Sequence, residues 1–144
     1  MLGRMITSDR ASLSVLSTDT DPSDITRLLR VEPTRVRRAG ETRRSGRVPE
    51  QHAWVVDVET LDVIEGDRTG TRALQLLLER CAPAAGRIGA LPADCVARIW
   101  WSADSDSSQG GFVLPVELAV QIAALGVDLY GTVFVEPEAA DEEE

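Results

Sequence analysis

The chain has 144 residues, of which 43% are hydrophobic and 27% charged, which is enough for one domain with one core and too apolar for a disordered chain. Its net charge of −9 opposes a role built on contacts to nucleic-acid phosphates, and no apolar run approaches the roughly 20 residues that a membrane helix needs. Two cysteines and a single histidine, His52, fit no zinc spacing.

Residues 1–9 are expected to be a flexible N-terminus, residues 10–136 a single α+β domain and residues 137–144 a disordered acidic tail. The opening MLGRMITSDR lacks the apolar stretch of a signal peptide. Together with buried, reduced thiols at Cys81 and Cys95, this leads us to expect a cytoplasmic protein. In SLSVLSTDTDPSDITRLLRVEP, Leu13 and Val15 alternate with Ser12 and Ser14, the period of a half-buried strand. A helix follows. Asp21 suits its N-cap, Pro22 its first position and Asp24 its first turn. Ile25, Leu28 and Leu29 share its apolar face, and Pro33 cannot continue it.

All 15 basic residues are arginine, which reads as a coding bias. Their distribution is uneven: residues 27–47 hold eight arginines against two acids, a local +6, and the remainder of the chain carries −15. The stretch 34–51 reads as a long exposed loop with a short extended piece at 35–38. A strand is expected at 54–59, a helix at 71–81 stopped by Pro83, a packed loop or short helical turn at 84–92, and a strand with two tryptophans at 95–103. A last helix is expected at 116–125, capped by Gly126, and a last strand at 128–135. The chain thus reads as two strand–helix–strand halves. Asp57 and Glu59 leave one face of their strand polar, which favours a mainly antiparallel sheet of four to five strands with helices on one face over a doubly wound parallel sheet. This arrangement is compatible with a ferredoxin-like fold.

SLSVLSTDTDPSDITRLLRVEPTRV, the following AGE, the tryptophan opening a strand at Trp54 and the closing LPVELAVQIAALGVDLYGTVF resemble the bacterial domain-of-unknown-function family 4279. The resemblance covers residues 11–135. Its motifs are structural (a capped helix, a glycine turn, a tryptophan), so it implies one compact domain and carries no catalytic residues to this chain.

Two sets of residues stand out as binding candidates. If Leu13, Val15, Val56, Ile99 and Trp101 face the helices, then Arg98, Trp100, Tyr130 and Phe134 lie on the opposite sheet face. That face suits a partner or homodimer interface, a surface covered by the chain itself, or a base-stacking platform, and the acidic charge argues against the last. The arginine loop, with Arg37, Arg38, Arg43 and Arg44, could grip phosphate or a carboxylate-rich partner; a solvated loop balancing the acidic tail is the plainer reading. Asp104, Asp106 and Ser108 have the alternate spacing of a calcium loop, but Pro115 stands at the twelfth place, where a glutamate is needed. No catalytic residue, metal site or cofactor is expected. The function expected is that of a non-enzymatic protein-interaction module, in the manner of immunity proteins that neutralise a basic partner. The competing reading is a ligand-sensing or enzymatic domain with a pocket between sheet and helices near Trp54 or Trp101.

Overall fold

In the computed structural model, which describes residues 6–40, 46, 48–60, 69–106 and 111–135, one sheet of five strands carries three α-helices on a single face. The strands are β1 (Ile6–Ser17), β2 (Arg35–Arg37), β3 (His52–Thr60), β4 (Val96–Ser105) and β5 (Asp128–Val135); the helices are α1 (Pro22–Leu29), α2 (Arg72–Arg80) and α3 (Val116–Leu125). The sheet order is β2-β3-β1-β4-β5. β1 runs antiparallel to both β3 and β4, β2 is antiparallel to β3, and β4 and β5 are parallel. The expected α+β class and one-sided helix layer therefore hold.

The two strand–helix–strand units differ in how their strands pair. β1 and β3, on either side of α1, are direct antiparallel neighbours; β4 and β5, on either side of α3, are direct parallel neighbours. A ferredoxin-like sheet would place another strand between the two strands of each unit. The similarity of the halves is one of local pattern, and the ferredoxin-like arrangement is corrected by this pairing.

α1 begins as its sequence requires. The Asp21 carboxylate accepts from the Ser23 amide at 2.9 Å, and Pro22 occupies the first helical position. It ends earlier than Pro33 demands. Arg30 adopts the left-handed conformation at φ 63° and its amide donates to the Thr26 carbonyl, closing the helix at Leu29. Ile25 and Leu29 are fully buried under α1 with Trp54, whose indole N–H donates to Thr26 Oγ1 at 2.9 Å. Cys81 is buried at the end of α2, and burial raises its thiol to about 11, so it behaves as a core residue and not as a nucleophile. The segment after α2 forms two short 3-10 turns, Ala82–Ala84 and Ile88–Ala90.

The largest departure from expectation lies at the N-terminal end. β1 starts at Ile6 and so includes four residues of the segment expected to be flexible. Asp9 explains both the strand and why its start was hidden. It occupies an inward position of β1 and is 2% exposed. Its Oδ2 accepts from the Ala73 amide at 2.9 Å and from the Trp101 indole N–H at 3.0 Å, and its Oδ1 accepts from Thr60 Oγ1 at 2.5 Å. Thr71, the N-cap residue of α2, makes no side-chain cap of its own, so Asp9 supplies that helix's cap from another element. A charged residue on the buried face breaks the apolar alternation on which a strand is recognised.

Removing a buried acceptor strands its donors. Asp9→Ala is therefore expected to lower unfolding free energy by about 3 kcal/mol, and Asp9→Asn, whose amide oxygen can still accept from Ala73 and Trp101, by about half as much, both read from urea denaturation. Arg30→Gly is expected to raise stability by up to about 1 kcal/mol in the same assay, because a glycine carries no Cβ penalty in the left-handed region.

Candidate functional site

Even-numbered residues of β1 point away from the helices, and the strand register extends their rows across the sheet. One row runs Val55–Ser14–Arg98–Asp128, the next Asp57–Ser12–Trp100–Tyr130, and the next Glu59–Arg10–Ser102–Thr132; Asp104 and Phe134 continue the pattern on β4 and β5. Serines in the central strands stand between carboxylates on β3 and aromatics on β5. The short side chains leave a trough of about 410 Å³ on the open face, with Ser12 and Ser102 between the Asp57/Glu59 side and the Tyr130/Phe134 side.

The four sheet-face residues nominated from sequence do come together here. Trp100 and Tyr130 pack with ring centroids 4.8 Å apart, and the Arg98 guanidinium lies 5.3 Å from the Tyr130 ring centroid. Trp100 donates its indole N–H to Ser14 Oγ at 3.1 Å, which fixes the ring on the surface. Even so, Trp100, Tyr130 and Phe134 remain 44%, 41% and 53% exposed, a large apolar area to leave in water on one face. Phe134 sits beside Arg10, whose guanidinium is 5.9 Å from its centroid.

Arg10 was not among the nominated residues, yet it organises one end of the trough. It forms an ion pair with Asp104 at 3.2 Å, and Ser8 Oγ donates to the same carboxylate at 2.9 Å. Those two bonds, that of Arg10 first, hold the Asp104 carboxyl below the usual carboxylate range. Extending the alternation of β1 back through Arg10 and Ser8 would have found it, had Asp9 not interrupted the inward face. At the other side, Asp57 is paired with Arg35 at 2.7 Å, while Glu59 makes no ion pair among the described residues.

The arginine loop resolves differently. Arg37 donates to the Gln51 carbonyl at 3.4 Å, and Arg38 pairs with Asp21, the α1 cap residue. Both are thus engaged with their own chain. Arg43 and Arg44 lie outside the described residues. His52 is also engaged: its Nδ1 accepts from the Ala39 amide at 2.9 Å and anchors the chain just after β2. Asp106 is exposed at the end of β4, and among the described residues no group of three or more potential ligands could hold a metal ion.

The tryptophans proposed to line an internal pocket are sealed instead. Trp54 is 0% and Trp101 3% exposed, each with its N–H satisfied, and Trp101 packs on Phe112 at 4.8 Å between centroids. The trough lies on the opposite side of the sheet from the helices. Asp94 links the turn after β1 to the start of β4: its carboxylate accepts from Thr20 Oγ1 and from the amides of Asp19 and Thr20 at 2.7–2.9 Å. The Thr20 hydroxyl, then those amides, hold its carboxyl well below the usual range.

The chain belongs to a family described as a domain of unknown function, DUF4279, whose model matches residues 6–131. The match takes in β1 from its first residue and stops within β5, so it covers most of the candidate face. No curated protein and no solved structure matches the chain. No helix among the described residues is long and apolar enough to cross a membrane.

Asp21, Asp94 and Asp104 are all held below their ordinary value of 3.8 in the fold. The stability that each contributes is complete above the unfolded value and is lost as pH falls through the folded one. Thermal unfolding is expected to shift downward progressively as pH drops below about 4, and Asp94→Asn is expected to flatten that dependence.

Proposed function

We propose, with membership of this family as the premise, that the protein is a non-enzymatic interaction module whose open sheet face docks a protein partner. The observation that carries this reading is the set of three exposed aromatics, Trp100, Tyr130 and Phe134, around one trough on the sheet face that no helix among the described residues covers. Aromatic side chains in a shallow, partly enclosed setting are what concentrate binding energy at protein interfaces. The neighbouring arginines are already engaged: Arg10 pairs with Asp104, and Arg98 lies over Tyr130. The contact itself therefore rests on apolar area.

Charge acts at longer range. A chain of net charge −9 draws a basic partner and accelerates encounter, and this part of the interaction weakens with salt. An immunity-like role, in which the acidic module neutralises a basic protein, fits that division between steering and contact. A bacterial, cytoplasmic setting belongs to the same reading and suits the free thiols of Cys81 and Cys95.

The small-molecule reading keeps one supporting observation. A trough of about 410 Å³ falls within the size range of ligand sites, although it is open and lies outside the helix–sheet interface. A thermal-shift screen separates the two, since a ligand at 100 times its Kd raises stability by about 2.7 kcal/mol.

The test of the primary reading is capture from lysate of the native host with wild type and with Trp100→Ala. Wild type is expected to retain a basic protein at low salt. The variant is expected to lose at least ten-fold in retention, about 1.4 kcal/mol, while unfolding within about 1 kcal/mol of wild type because Trp100 is half exposed. Equal retention by both proteins would remove the open face from the interaction.

A further inference from the structure

The two edges of the sheet are built differently. The β2 edge is three residues long and carries Arg35 and Arg37, a short, charged strand that resists pairing with another chain. The β5 edge is eight residues long. After Asp128 it reads LYGTVFV, with no charge and no proline, and its register with β4 runs unbroken from Asp128 to Val135. Among the described residues only one side of β5 is hydrogen-bonded, because it is the last strand in the sheet order. A long, apolar, unprotected edge of this kind has to be covered.

We propose that β5 pairs antiparallel with β5 of a second copy of this chain about a two-fold axis through Thr132, which joins the two sheets into one of ten strands. The register is chosen by self-complementarity, as a two-fold interface requires. With Thr132 opposite Thr132, Tyr130 of one copy meets Phe134 of the other on the open face. On the helix side Leu129 meets Val135, and Gly131 meets Val133. These are aromatic and apolar cross-strand pairs, the kind that stabilise a sheet. Phe134 and Val135, 53% and 51% exposed in one copy, gain lateral cross-strand neighbours, and the open face continues across the axis.

α3 connects β4 to β5 and leaves Val116 and Val120, one turn apart, 69% and 63% exposed, further apolar surface on the same half of the molecule. Each copy carries a net charge of −9, and the pairing sets one Asp128 at each end of the joined strands, so the two copies repel. Dimerisation is therefore weakened by repulsion that salt screens, so it tightens as ionic strength rises. Docking of a basic partner changes in the opposite direction.

The experiment is sedimentation velocity on the full chain over a hundred-fold concentration range, at low and at high salt. A species of twice the chain mass is expected, more populated at high salt. Thr132→Lys, which sets two ammonium groups face to face on the axis at an exposed site, is expected to sediment as a monomer with an unchanged circular dichroism spectrum. Thr132→Cys in a Cys95→Ser background is expected to form a disulfide-linked dimer on mild oxidation, because either class of directly opposed antiparallel pair brings the two Cα atoms within disulfide reach. Trp100→Ala is expected to remain dimeric, so failure of the partner-docking reading and failure of this one are told apart. A wild-type monomer at every concentration and salt, or a dimer that survives Thr132→Lys, or a Thr132→Cys protein that does not cross-link, would overturn the proposal.

Discussion

The carboxylate of Asp9 ties together four elements that are remote in sequence. It sits on β1, caps α2 through the Ala73 amide, holds the Trp101 indole of β4 and takes a hydrogen bond from Thr60 at the end of β3. A buried carboxylate is tolerated only when its lone pairs are used, and here a backbone amide, an indole and a hydroxyl use them. The arrangement fixes where the first turn of α2 meets the sheet. It also fixes the inward orientation of Trp101, and with it the outward orientation of Trp100 beside it.

That alternation gives the sheet two unlike faces. Leu13, Val15, Trp54, Val56, Ile99 and Trp101 form a sealed layer under the helices. Their neighbours build a face of serines, paired charges and three aromatics with no helix above it among the described residues. The paired charges matter to how the face behaves. Arg10 with Asp104 and Arg35 with Asp57 neutralise each other locally on this face. The β5 edge is a third kind of surface, a long apolar strand with one side unpaired among the described residues.

Much of this was readable from the chain alone. The cap of α1, the span of α3 and the span of β5 follow from local signals: Asp21–Pro22 at one helix start, Pro115 and Gly126 around another, and period-two alternation in 128–135. The separation of Trp100 from Trp101 followed from the parity set by Ile99. The candidate face was legible in four of its residues. Arg10 was not, because Asp9 disguised the first half of β1 as a polar segment. The arginine loop was legible only as a concentration of charge: Arg37 contacts the Gln51 carbonyl and Arg38 pairs with Asp21, contacts that local charge does not announce, and Arg43 and Arg44 lie outside the described residues.

The sequence by itself determined which residues share a face, where helices begin and end, and that one core would suffice, since all of these depend on backbone geometry over a few residues. Only the tertiary structure decided that β5 lies parallel to β4 at the edge, that the first unit pairs its strands antiparallel, and that Asp9 caps a helix 64 positions away. Periodicity records the direction in which a side chain points and carries no information about which distant strand comes to lie beside it. That choice is made when the whole apolar layer and the buried Asp9 carboxylate are satisfied together.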